Sequence, residues 1–262
     1  VFSEIGGIKS SQPAIDYLGK KVLPISLQEG ESFLFACPSH SINVQNVKDV
    51  YVEFYSDIAW DGIFLDRIRY GSFANGKSAV LSCFCEICQK RYEQEGISIK
   101  DLVKRLQEKE NHLLIPLTFK DGQYRFKDDL INKFFKAKQQ IITEQIKNLV
   151  QYFSAQGKKV GLDVFAPMFA PFVGQDLSAL GEVSEFLKPM MYRVTNAPAG
   201  IPYEWEYMIQ ELKKNNSYPV EERMKKILNL ETAGVACIQT LEKEIESLMR
   251  AGCKVYPGVE VN

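Results

Sequence analysis

The chain has 262 residues and sets 32 Lys+Arg against 33 Asp+Glu, a formal net charge of −1. That balance leaves no sequence-wide basic footprint, so neither nucleic acid nor an anionic membrane is an expected partner. A composition of 45% hydrophobic and 11% aromatic residues excludes disorder, and the 25% charged residues, with no apolar run near the ~18 residues of a spanning helix, exclude a membrane bundle.

In chain order, Val22–Ser26 is a weak apolar stretch and 33–37 (FLFAC) a short strand run closed by Pro38. Val44, Val47, Tyr51, Phe54 and Ile58 recur at spacings of three and four, one face of a helix over 43–58. Asp61-Gly62 is a turn signal, and Ile63-Phe64-Leu65 is a buried-strand run stopped by Asp66. Residues 71–132 form an excursion with a Cys cluster, a polar helix at 98–109 and a hairpin at 117–126 turning at Asp121-Gly122. A long helix follows over 133–155, its apolar period running from Phe134 to Phe153 and punctuated by Gly157. Then come a strand at 159–164, a helix at 176–184, a strand at 185–191, a Pro/Gly-rich loop at 195–202, a helix at 239–251 and a strand at 253–260.

Alternation of this kind predicts an α/β fold, a parallel sheet with crossover helices. The five strands 33–37, 63–66, 159–164, 185–191 and 253–260 are expected in one sheet curved like part of a (β/α)8 TIM barrel, within a single domain of 1–262. Eight strands are needed to close such a barrel. Unless strands in 1–30 and 200–235 escape the pattern, it is expected to be incomplete at one or both ends.

Three strand ends carry a carboxylate: Asp66 in DGIFLDRIRY, Asp163 in VGLDVF and Glu260 in PGVEV. Ligands of α/β folds bind beyond the carboxyl ends of strands. Paired carboxylates there are the chemistry of glycoside hydrolysis, one protonating the leaving oxygen and the other attacking carbon or activating water. Asp66, beside Arg67 and Arg69, is the better candidate for the ionised partner. Its structural alternative is a helix cap or an ion pair with Arg67, and that of Glu260 is an exposed residue near a chain end. Tyr70, His40, Tyr192, Arg193 and Trp205, with Arg67 and Arg69, are the candidate substrate-binding residues; Phe169 and Tyr203 neighbour them.

Cys83, Cys85 and Cys88 form C-x-C-x-x-C, three of the four positions of a zinc site. The fourth ligand would come from Cys37, His40 or His112. Without a second C-x-x-C pair, the expectation is reduced thiols with neither disulfide nor metal. Cys37, Cys237 and Cys253 stand singly in apolar surroundings. Free cysteines and the lack of a visible signal sequence favour a cytoplasmic setting. No cofactor is expected, because the chain has no G-x-x-x-x-G-K-[ST] and no G-x-G-x-x-G.

CPSHSINVQNV followed by DGIFLDRIRY resembles a strand–helix–strand segment of bacterial glycoside-hydrolase-like TIM-barrel proteins, in which DGI-x-x-D-x-I-R-[FY] marks the fourth strand. GLDVFAP, VGQDL and FLKPMMYRVTNAPAG resemble that group's fifth strand, following loop and helix, and sixth strand. The resemblance covers roughly 33–70 and 158–202. It implies distant similarity to α-amylase-type barrels, a nucleophile at Asp66 and an acid at Asp163, where those enzymes commonly carry Glu; that departure keeps Glu260 in play. The function implied is a glycoside hydrolase acting on a carbohydrate. The alternatives are a non-catalytic carbohydrate-binding barrel and a zinc-stapled structural or interaction domain.

Overall fold

The computed structural model describes residues 11–23, 25–26, 32–108, 111–214, 219–230, 234–250, 252 and 254–260. In chain order the elements are β1 (Ile25–Ser26), β2 (Ser32–Phe33), α1 (Ser41–Phe54), β3 (Gly62–Leu65), α2 (Lys77–Val80), α3 (Glu86–Gln94) and α4 (Ile99–Gln107). They continue with β4 (Thr118–Lys120), β5 (Gln123–Arg125), α5 (Asp129–Ser154), β6 (Lys159–Phe165), α6 (Leu177–Val183), β7 (Phe186–Met190), α7 (Ile201–Lys213), α8 (Val220–Ile227) and α9 (Ile238–Arg250). Among the described residues no helix is long and apolar enough to cross a membrane.

The central sheet has the order β3-β6-β7, all parallel. Leu65 pairs with Leu162, and Asp163 with Lys188. The stretch 254–258 lies along β7 through parallel bridges Leu187↔Val255 and Met190↔Gly258. One sheet face (Leu65, Val160, Leu162, Val164, Leu187) is buried under the helices, among which α5 and α6 contact β6 and β7. The long α5 begins four residues before its apolar period suggests, because the Asp128 side chain accepts the amides of Leu130 and Ile131 and caps the helix. From there Ile131, Phe134, Ile142, Ile146, Leu149 and Phe153 keep one stripe buried.

The TIM-barrel expectation is overturned: among the described residues the parallel sheet has three strands and does not close. Of the five expected strands, 253–260 contributes only isolated parallel bridges along β7 and 33–37 folds otherwise. Residues 33–37 do not join it; Ala36 bridges antiparallel to Pro13, and β2 pairs antiparallel with β1. The excursion supplies only the two-stranded β4–β5 hairpin and short helices, and α7 runs on toward α8 with no described strand of the central sheet between them. The hairpin turns at Asp121-Gly122, both at positive φ, as its sequence predicts. Cys253 lies outside the described residues.

Candidate active site at the strand ends

In a parallel sheet, residues in register share a face, and along each strand the faces alternate. The face opposite the helices therefore carries Phe64, Gly161 and Phe186 in one row and the paired Asp163 and Lys188 in the next, while Asp66 follows Leu65, the last paired residue of β3. Gly161 leaves room between the two rings: a Cβ there would stand 2.3 Å from Phe186 Cζ. Phe64 and Phe186 stack with centroids 5.9 Å apart, and Phe64 stays 47% exposed. A half-open aromatic rung thus adjoins the Asp163–Lys188 pair.

Asp163 is buried at the end of the central strand, and Lys188 Nζ reaches its two carboxylate oxygens at 3.3 and 3.2 Å. Burial pushes the Asp163 pKa up to about 6; Lys188 opposes the rise, the Asp66 charge adds to it, and Arg69 opposes it. Lys188 also donates to the Tyr192 hydroxyl at 2.6 Å. Burial works against the Lys188 charge, but its bonds to Tyr192 and Asp163 outweigh that and its pKa is raised. Gly258, on the neighbouring stretch, would place a Cβ 2.5 Å from Lys188 Cε, so only a glycine admits this approach.

Asp66 is exposed just beyond β3, where Arg67 donates its amide to Oδ1 at 2.5 Å and holds Nε 3.8 Å from Oδ2. Arg67 has a φ of +55°, a left-handed backbone that a non-glycine residue adopts at a cost. Arg69 is buried, its guanidinium over the rings of Phe35 (4.6 Å) and Phe165 (4.1 Å), with one nitrogen donating to the Tyr70 carbonyl. Burial lowers its pKa to about 10, against the charges of Glu204, Asp66 and Asp163. Arg69 is the cation those three acids have in common.

The structure separates the remaining sequence candidates. Glu260 is half-buried and accepts the amides of Val194 (2.5 Å) and Thr195 (2.9 Å) and the Thr195 hydroxyl, bonds that lower its pKa, the hydroxyl first. It ties the last stretch to the loop after β7. Tyr70 is fully buried, as are most of Trp205 and Phe169, so these rings pack in the core. Tyr203 stacks on Tyr207 at 4.7 Å, and Arg193 is half-buried beside Tyr192. His40 precedes α1, its amide donating to the Cys37 carbonyl, and His112 falls in the turn Asn111–Leu114.

Sequence reasoning missed Lys188, Phe64 and Glu204 as members of this neighbourhood. Glu204 is buried at the start of α7 and accepts the Ala199 amide at 3.0 Å; burial raises its pKa. The signal for Lys188 was a lysine inside the apolar run FLKPM.

Among solved structures, the chain is similar to the glycoside hydrolase domain of PgaB (BpsB) from Bordetella bronchiseptica, with 13% identity and a TM-score of 0.46. The alignment covers 92% of this chain, which spans 64% of the length of that one. No family model and no curated protein matches.

Two further groups lie away from the strand ends. Cys37, Cys83, Cys85 and Cys88 bring their sulfurs within 4.8 Å of one another, with no disulfide among the described cysteines. Cys37, one of the three candidates for a fourth ligand, is the one that joins the other thiols. Hydrogen bonds from Cys37 first, then Cys83 and Cys88, hold the Cys85 thiol well below its ordinary value. A cavity of about 500 Å³ between the β4–β5 hairpin, Pro167-Met168 and α9 is lined by Glu244, whose carboxyl burial pushes up to about 8.

Proposed function

We propose that the chain is a carbohydrate-active hydrolase that cleaves a glycosidic bond over the open sheet face. Asp163 acts as the general acid and Asp66 as the ionised carboxylate that attacks carbon or activates water. The observation that carries this reading is the Asp163–Lys188 pair beside the Phe64–Phe186 stack, with Asp66 just past the end of β3 and its charge reaching Asp163. Two carboxylates in unlike environments suit the two roles: Asp163 is buried with its pKa lifted to about 6, and Asp66 is exposed beside Arg67. A flat, exposed ring beside them offers the apolar face of a sugar a stacking surface.

Lys188 and Arg69 position and tune the acid; neither needs to touch the sugar. Burial raises the Asp163 pKa, and the two cations oppose that rise, leaving it at about 6, where it can give and recover a proton. Glu260 serves as a positioning residue for the 194–195 loop.

The test is release of reducing ends from a panel of aryl glycosides and soluble polysaccharides. The chain is expected to hydrolyse at least one member, and Asp66→Asn and Asp163→Asn each to lose about 10²-fold or more of that activity while keeping the wild-type circular dichroism. Variants that fold and turn over at the wild-type rate would remove both residues from catalysis.

A further inference from the structure

The four clustered thiols belong to no part of the strand-end chemistry. We infer that Cys37, Cys83, Cys85 and Cys88 form a structural tetrathiolate zinc site that staples the excursion after β3 to the segment preceding α1.

Geometry supports it first. Four sulfurs around zinc at ~2.3 Å stand about 3.8 Å from one another. Here all four lie within 4.8 Å, and Cys37 Sγ is 3.5 Å from both Cys85 and Cys88 Sγ. That is too far for a disulfide, which needs about 2.05 Å, and too close for an iron–sulfur cluster, whose own core must fit between its thiolates. One tetrahedral ion fits.

The surroundings suit a negatively charged centre. Amides of Ile15 and Cys85 point at Cys83 Sγ at 3.3 and 3.5 Å, and the Cys88 thiol donates to the Ser39 hydroxyl at 3.2 Å. Amide donors of this kind orient and stabilise metal-bound thiolates. Cys85 is the N-cap of α3 and Cys88 lies in its first turn, where the helix dipole favours thiolate.

An independent observation is Lys138, fully buried on α5. Its ammonium donates to the Val80 carbonyl and lies 4.3 Å from the centre of the Tyr70 ring, and no carboxylate pairs with it among the described residues. A buried ammonium without a counter-charge is costly, and burial lowers the Lys138 pKa to about 7, against the charges of Cys83 and Cys88. Zinc with four thiolates carries a net charge of −2, which would favour the charged lysine. Binding exchanges each remaining S–H proton for a Zn–S bond, the proton leaving to solvent, with no change of oxidation state.

The sequence distances explain the role. Cys37 ends the stretch bridged to residue 13, while Cys83, Cys85 and Cys88 open α3 in the excursion. The ion would cross-link two segments that share no sheet.

The experiment is elemental analysis of the full chain expressed with zinc in the medium, with mercurial titration of the thiols followed by a zinc-sensitive dye. The expected result is one zinc per chain, released in step with titration of the cluster, retained in Cys237→Ser and lost in Cys37→Ser. If Cys37→Ser unfolds, the wild-type titration carries the result alone. Sub-stoichiometric zinc with freely titrating thiols would overturn the site, and iron in place of zinc would overturn the identity of the ion.

Discussion

Asp163→Asn keeps the shape of the side chain and removes its charge, so it separates what the carboxylate does for folding from what it does for chemistry. An unfolded aspartate titrates near 3.8, whereas burial lifts Asp163 to about 6. The folded state therefore binds the proton more tightly, and the stability tied to this group is fully present below about pH 4. It is lost as pH rises through the interval to about 6 and stays lost above it. At ~1.4 kcal/mol per tenfold change in proton affinity, the loss is about 3 kcal/mol, and solvent reaching the Lys188 pair trims it to about 2. The asparagine variant does not suffer it. Thermal melts should show Asp163→Asn above wild type by several degrees (~4–8 °C, for about 2–4 °C per kcal/mol in a chain of this size) at pH 7.5, and level with it at pH 4. A variant less stable at pH 7.5 than wild type would refute the reasoning, because the Asp163–Lys188 pair would then be a stabilising structural bridge. An active-site group that costs stability is what a function-driven arrangement predicts.

Glu244→Gln acts by the same logic in the cavity beside α9: with its carboxyl raised from 4.5 to about 8, wild type loses stability between those values, and the variant should be about 3 kcal/mol more stable at pH 7 yet equal at pH 4.5 in chemical denaturation. Gly161→Ala drives a methyl into the Phe186 ring, costs about 1–3 kcal/mol in the same assay and parts the Phe64–Phe186 stack, visible as weakened binding of an oligosaccharide that the wild type retains. Arg69→Lys keeps the charge but loses the planar contact with Phe35 and Phe165 and the bond to the Tyr70 carbonyl; a loss of about 1–2 kcal/mol in thermal stability is expected, against none if only the charge matters.

Much of the fold was legible. The 3.6-residue stripes of α1, α5 and α9, and the apolar runs that became β3, β6 and β7, follow from periodicity and turn residues. The open sheet was not legible, because strand–helix alternation fixes parallel pairing of neighbours but not how many strands join. FLFAC reads as a buried strand by composition, and its antiparallel partners lie in a region with little pattern. At the site, Asp66 and Asp163 stand out because each interrupts an apolar run. The pairing of Asp163 with Lys188 depends on register, which no local pattern states. Phe64 was taken for core because its neighbours Ile63 and Leu65 are apolar; only the sheet shows that it faces the open side. Tyr70 and Trp205 erred in the opposite sense as surface expectations, since flanking charges do not tell which helix or strand face a ring occupies. The three-Cys spacing was visible, but the partner Cys37 stands 46 positions before Cys83 and meets it only through the fold.

The assignment of Asp163 as the acid is tested most directly by the pH dependence of kcat/KM, measured for wild type and Lys188→Gln on a glycoside that the wild type hydrolyses. The wild-type rate should fall on the alkaline side with a midpoint near the Asp163 value of about 6, since the acid must hold its proton to act. Lys188 holds that value down, so its removal should carry the alkaline limb to higher pH, whatever happens to the maximal rate. An alkaline limb that stays in place when Lys188 is replaced would contradict the account, because the proton that governs catalysis would then reside elsewhere.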